Sequence, residues 1–220
     1  MDGTQVDLVL PCRDEAPALA ALLPEVPDGF RVVVADNGSR DDTAEVARRL
    51  GATVVTETRP GYGAAVHAGL MAAESELVAF MDGDGSFDPA ELLPLVDDVR
   101  SGRADLAVGR RRPTGRGTWP WHARAGNALI VAWLRRRIDL PAHDIAPMRV
   151  CRRADLVALD VQDRRFGYPV EFLQKAVAAG WRFSEHDVSY RPRAEGTKSK
   201  VSGSVRGTLR TARDFAKVLR

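Results

Sequence analysis

The chain opens on short apolar runs that alternate with longer stretches of apolar residues at helical spacing. Val6–Leu10 is a continuous apolar run of strand length, and Ala18, Leu19, Leu22 and Leu23 then recur at the spacing of one helix face. The β-branched run Arg31–Ala35 closes on Asp36-Asn37-Gly38-Ser39, a turn signal, and a helix over Asp42–Leu50 follows. Thr53–Thr56 reads as a short strand, Ala64–Ala73 as a helix, and Leu77–Met81 as a strand that stops at Asp82. Ala104–Val108 is a further strand running into Arg110 and Arg111. Beyond it the pattern loosens, with helices near Ala125–Arg137 and Pro169–Ala179 and a strand near Phe183–Tyr190. Strands alternating with helices of this length predict an α/β fold, Rossmann-like, with a mostly parallel sheet and helices on both faces. There is no internal repeat and no convincing second domain.

Such sheets bind ligands at the carboxyl ends of their strands. The polar clusters fall there: Arg13, Asp14 and Glu15 after the first strand, Asp36 and Asn37 after the second, Asp82 and Asp84 after the fourth, Arg110 and Arg111 after the next. Asp82-Gly83-Asp84 sets two carboxylates one small residue apart, so both can reach one hard cation, Mg2+ or Mn2+, whose shell is completed by diphosphate oxygens and water. An ordinary Asp/Gly turn explains the tripeptide alone, and its place at a strand end is what favours a metal site. Asp36 is placed to accept hydrogen bonds from a ribose or base, or to cap the helix that follows. Gly61-Tyr62-Gly63 precedes a helix and admits either close approach of a nucleotide or a loop that needs positive φ.

Composition narrows the class. With 220 residues and 45% hydrophobic content the chain can build its own core. Its net charge is only +2, but residues 191–220 hold nine Lys/Arg against two Asp/Glu, and residues 110–137 hold eight Arg and no acid. Basic clusters of this kind suit phosphate-bearing ligands. They lack the interleaved aromatics and the recognisable module of a nucleic-acid binder. Two cysteines, Cys12 and Cys151, make neither a disulfide framework nor a zinc pattern, which fits a reducing cytoplasm. No signal peptide and no run of about 18 apolar residues is present, so the expected location is cytoplasmic, soluble or peripheral at the inner face of a membrane.

Taken in order, Leu10-Pro11-Cys12-Arg13-Asp14-Glu15, Val34-Ala35-Asp36-Asn37-Gly38-Ser39-Arg40-Asp41-Asp42-Thr43, Arg59-Pro60-Gly61-Tyr62-Gly63 and Asp82-Gly83-Asp84 resemble inverting glycosyltransferase family two, nearest its dolichyl- or polyprenyl-phosphate sugar synthase branch. The resemblance spans roughly residues 5–200 and implies a GT-A fold, a nucleoside-diphosphate sugar donor and a divalent metal. It places Pro11, Arg13, Glu15, Asp36, Gly61, Gly63, Asp82, Gly83 and Asp84 at the donor, with Asp82 and Asp84 on the metal. Gly109-Arg110-Arg111 is similar to the family's Gly-Ser-Arg, which gives Arg111 a diphosphate or acceptor-phosphate role. Arg124 and Asn127 match an Arg and an Asn of the following helix, Asp144 the acid of a later Asp-x-x-Ser-Gly segment, and Ser199-Lys200 a Ser-Lys of the C-terminal basic loop. Asn37 departs from the family's second Asp, Ser86 stands where a Gln ligand is common, and Ala146-Pro147 interrupts the Ser-Gly.

The reading divides the chain into a GT-A domain, residues 1–202, and a basic amphipathic helix, residues 203–220. In the latter Val205, Leu209, Ala212, Ala216 and Leu219 keep helical spacing one position behind Arg206, Arg210, Arg213, Lys217 and Arg220. Such a helix packs on its own domain or lies on an anionic bilayer. The expected acceptor is a polyprenyl phosphate, whose oxygen is already anionic; Arg111, Arg124, Asn127 and Lys200 would bind it, and Arg111 and Arg124 would also assist the chemistry. With a hydroxyl acceptor Asp144 is the candidate general base, while His143 reads as a neighbour. Transfer to a soluble hydroxyl, or an inactive nucleotide-binding protein, are the alternatives; a nucleotidyltransferase would carry a glycine-rich loop where Pro11–Glu15 stands.

Overall fold

The computed structural model describes residues 5–115 and 117–193, so Lys200 and the segment 203–220 lie outside the described residues. Seven strands form one sheet: β1 Val6–Cys12, β2 Phe30–Asp36, β3 Thr53–Thr56, β4 Leu77–Phe80, β5 Leu106–Pro113, β6 Met148–Arg152 and β7 Phe183–Tyr190. Their order is β3-β2-β1-β4-β6-β5-β7, and every pairing is parallel except those of β6, which runs antiparallel to β4 and β5.

Helices α1 Ala16–Leu22, α2 Thr43–Arg49 and α4 Leu93–Arg100 cover one face, and α3 Tyr62–Ala72, α5 Trp121–Ile138, α6 Arg153–Ala158 and α7 Tyr168–Ala178 the other. The two-residue period of the strands divides their side chains between the two cores. Leu8, Leu10 and Cys12 of β1 pack with Leu19, Val46 and Leu95, whereas Val9 packs with Val66, Phe80 and Phe172. Burial on both faces is why the parallel strands read as unbroken apolar runs rather than alternating ones. Leu8 and Leu10 are wholly buried, and truncating either to Ala costs about 2–5 kcal/mol.

Three elements escape the apolar pattern: α4, α6 and β6. Strand β6 reads Met-Arg-Val-Cys-Arg, and its two arginines break the run, yet Arg149 is 2% exposed, carried inside by the sheet. Strand β5 also differs from expectation, starting at Leu106 and continuing to Pro113, so that Arg110 and Arg111 are strand residues rather than loop residues.

The reversal at β6 decides where the site lies. An antiparallel strand begins where its parallel neighbours end: Arg149 pairs with Phe80, the last residue of β4, and Met148 with Gly109 in the middle of β5. The loop that precedes β6, including Asp144, is thereby delivered to the edge that carries Asp82 and Arg111.

Candidate functional site

Four carboxylates gather where β1, β2 and β4 end. Glu15, Asp36, Asp82 and Asp84 surround the buried Cys12 thiol, which burial first and these charges next push well above its ordinary range. Gly83 is required by this packing: a Cβ there would sit 2.4 Å from Cys12 Sγ.

The first loop is stitched to the turn after β2. Asp14 N donates to Ser39 Oγ (3.0 Å), Arg40 N to Asp14 Oδ1 (2.7 Å), Glu15 N to Thr43 Oγ1 (2.9 Å) and Ala16 N to Asp41 Oδ2 (3.1 Å). Asp41 also receives both the amide and the hydroxyl of Thr43, so it, and not Asp36, closes the start of α2. Asp36 is buried and receives the amide and hydroxyl of Ser39, both on Oδ1. Arg13 is half exposed at the rim beside Asp14, and Pro11 is partly buried in β1.

Asn37 explains its own departure from an acid. Its Nδ2 donates to Glu57 O (2.9 Å) and Arg59 O (2.7 Å), and its Oδ1 accepts from Gly61 N (2.9 Å). Only an amide can donate and accept in this way. The close approach that Gly61 and Gly63 permit is to the chain itself: a Cβ on Gly61 would lie 2.1 Å from Arg164 O, and one on Gly63 2.5 Å from Asp163 O.

The Asp82–Asp84 pair is held asymmetrically. Asp84 Oδ1 accepts Ser86 N (3.0 Å), and Asp84 Oδ2 faces Arg193 Nε at 3.0 Å. Asp82 receives no hydrogen bond from a described residue, and burial, then the neighbouring Asp84, pushes its carboxyl above the ordinary range against the pull of Arg193, Arg111 and Arg149. Ser86 Oγ is buried without a partner beside the pair. Two carboxylates and an unsatisfied hydroxyl suit a hard divalent cation. Among the described residues no third acidic, histidine or cysteine side chain joins them.

Opposite stands a cationic wall. Arg111 donates to Asp144 from its backbone N (2.9 Å), Nε (2.9 Å) and Nη2 (2.6 Å), and from Nη2 to Asn127 Oδ1 (3.1 Å). Its guanidinium lies 4.1 Å from the Trp119 ring centroid and 5.8 Å from that of Tyr190. Burial opposes its charge, and the Asp144 contact more than offsets this, so Arg111 is raised above its ordinary value. Arg124 is exposed on α5 one turn from Asn127, while His143 turns away to Glu185 (Nδ1–Oε2 2.7 Å).

Sequence reasoning missed Trp119, Tyr190, Arg149 and Arg193. Arg193 lay inside the C-terminal basic excess, counted as a whole. Arg149, buried against Tyr62 OH (3.4 Å) and 5.7 Å from the Phe172 centroid, carries no apolar-pattern signal at all.

Residues 7–156 match the sequence family described as glycosyl transferase family 2. An uncharacterized glycosyltransferase of Mycobacterium bovis is 55% identical over 219 residues, covering 100% of both chains. A polyprenol monophosphomannose synthase of Mycolicibacterium smegmatis is 32% identical, over 87% of this chain and 78% of that one. Among solved structures, glucosyl-3-phosphoglycerate synthase from Mycobacterium tuberculosis in complex with Mn2+, uridine diphosphate and glucosyl-3-phosphoglycerate superposes with a TM-score of 0.76 at 21% identity, covering 99% of this chain and 79% of that one. The shared fold is GT-A.

Proposed function

The chain belongs to glycosyltransferase family 2, and from that premise we propose that it moves a sugar, with inversion, from a nucleoside diphosphate to a polyprenyl phosphate at the inner face of a membrane. The donor nucleoside would lie along Pro11, Arg13, Glu15 and Asp36, beside the Gly61–Gly63 loop. Asp82 and Asp84 would hold Mg2+ or Mn2+, and the bound ion would neutralise charge on the departing diphosphate. Arg111, Arg124 and Asn127 face the acceptor in this reading, with Lys200 and the segment 203–220 added from sequence.

One observation carries the choice of acceptor. Asp144 has about four lone-pair sites, and four donors engage it: three from Arg111 and Ala146 N at 3.3 Å. Taking a proton from a hydroxyl would mean releasing Arg111. An acceptor that arrives as a phosphate anion needs no base, and what it needs is the cation that Asp144 orients. Asp144 therefore enters as a positioning residue rather than as the base, and the name of the Mycolicibacterium relative supports a lipid-borne acceptor.

The test is a thermal-shift series with uridine and guanosine diphosphates, with and without Mn2+ or Mg2+. It is followed by transfer assays on polyprenyl phosphate and on soluble hydroxyl acceptors. Metal-dependent stabilisation that vanishes in Asp84→Ala, and transfer to the lipid phosphate alone, are expected. Stabilisation that persists in that variant removes the metal assignment, and turnover on soluble hydroxyls alone removes the acceptor.

A further inference from the structure

The two most exposed large apolar side chains among the described residues stand on one helix. Trp121 is 81% and Leu129 73% exposed, whereas Leu50, Met71, Leu93 and Val157 lie between 41% and 45%. At about 100° per residue they project from α5 some 80° apart, and they are two turns apart along its axis. Ala125, Ala128 and Ala132 fall on the same side and are exposed. Val131 and Leu134 face the core instead, and Asn127 reaches inward to Arg111.

The charges on α5 are all of one sign. Arg124 and Arg135 flank the apolar strip on one side, and Arg136, one turn beyond Ala132, closes its C-terminal end; all three are exposed, and the helix contains no acid. An apolar strip bordered by arginines, with a tryptophan at one end, is the arrangement of a helix lying in the plane of a bilayer: the strip enters the acyl boundary and the guanidinium groups stay among lipid phosphates. A second copy of the chain fits less well, because pairing two such faces about a twofold axis would bring like charges together.

We propose that the outer face of α5 docks on an anionic lipid bilayer, so that one helix meets the membrane with Trp121 and Leu129 and lines the acceptor side of the site with Asn127. The assignment rests on the lipid-acceptor reading above and gives it a surface distinct from residues 203–220. The strip runs beside Arg124, one turn from Asn127, which brings a phosphate headgroup to the Arg111 wall while its chain stays in the membrane.

The experiment is co-sedimentation of the full chain with vesicles of phosphatidylcholine alone and of equal parts phosphatidylcholine and phosphatidylglycerol. Wild type should pellet with the anionic vesicles. Trp121→Ser/Leu129→Ser should lower partition at least about ten-fold, and Arg135→Glu/Arg136→Glu should lower it by about five-fold per arginine. Both variants should keep wild-type stabilisation by nucleoside diphosphate and wild-type turnover of detergent-dispersed polyprenyl phosphate. Unchanged partition in both variants overturns the proposal, as does loss of binding on deleting 203–220 when both α5 variants still pellet. A change of oligomeric state in the variants without a change in partition assigns the face to a second copy and overturns it too. If wild type binds vesicles but never turns over the lipid phosphate, the acceptor reading fails while the docking surface stands.

Discussion

Arg111 and Asp144 meet edge to edge, Nη2 to Oδ1 at 2.6 Å and Nε to Oδ2 at 2.9 Å, and the Arg111 backbone amide closes on the same carboxylate. Side chains this far apart in sequence and this closely paired should act as one unit. Arg111→Ala and Asp144→Asn are each expected to lower kcat/KM about 100-fold, and the double variant by little more than the worse single one. Multiplying losses would show two independent roles. Asp144→Ala should also destabilise the fold by about 3 kcal/mol, since it leaves a largely buried guanidinium unpaired.

Gly83 and Cys12 make a steric pair. Gly83→Ala places a methyl 2.4 Å from Cys12 Sγ and should cost about 1–3 kcal/mol, with a loss of metal-dependent donor binding. Adding Cys12→Ala removes the obstructing sulfur, so the double variant should melt higher than Gly83→Ala alone. No recovery would mean that Gly83 is needed for its backbone and not for its size.

Asn37 predicts an order of severity. Asn37→Asp turns a carboxylate toward the carbonyls of Glu57 and Arg59, whereas Asn37→Ala merely vacates the position. Calorimetric affinity for the nucleoside diphosphate should fall about ten-fold in Asn37→Asp and by less in Asn37→Ala. The reverse order would show that the amide's donors are unimportant.

Arg193 Nε faces Asp84 Oδ2 at 3.0 Å, and under the proposed metal assignment a cation would compete with it for that oxygen. Arg193→Ala should therefore bind Mn2+ about five-fold more tightly without donor, read by metal titration, because one competitor for the carboxylate is gone. Equal affinity would mean that the contact yields at no cost.

Acid stability has a separate source. Asp98 is held down to about 2, first by its hydrogen bond to His186 (2.7 Å) and then by Ser184 and Arg103. A carboxyl depressed in the fold contributes stability that is complete above its unfolded value near 3.9 and is lost as pH falls toward 2. Because Arg103 is largely solvated the contribution is modest, about 1 kcal/mol. Asp98→Asn should lower the melting temperature at pH 7 by a few degrees and leave it nearly unchanged at pH 2.

The gathering of carboxylates at the ends of β1, β2 and β4 was legible because parallel strands write themselves as apolar runs with polar residues at their ends. Glu15, Asp36 and Asp82 needed only that rule. The strands behind the Arg111–Asp144 wall were less so, for two physical reasons. Strand β6 contains a buried arginine, which hides it from any apolar pattern. Strand β5 continues through Gly-Arg-Arg-Arg, held by its parallel partner β7 rather than by its own composition. Of the two readings of Gly61 and Gly63, the positive-φ loop has its counterpart in Gly61 at φ 152°, and both glycines also lie against the backbone of residues 163–165, a contact about a hundred positions away that no local pattern carries.

The lone antiparallel strand divides the enzyme's inheritance as well as its sheet. In the proposed reading the groups at the donor come from residues up to Asp84 and those at the acceptor from Arg111 to Asp144, and among the described residues Tyr190 and Arg193 return to them from the end of β7. Loops that enter beside β6 can therefore change length and sequence without disturbing the register of β1, β2 and β4. Chimaeras joined near Asp105, taking the later part from a relative, should exchange the acceptor while keeping the nucleotide, and gene recombination at that seam offers a simple route by which one donor site comes to serve many recipients.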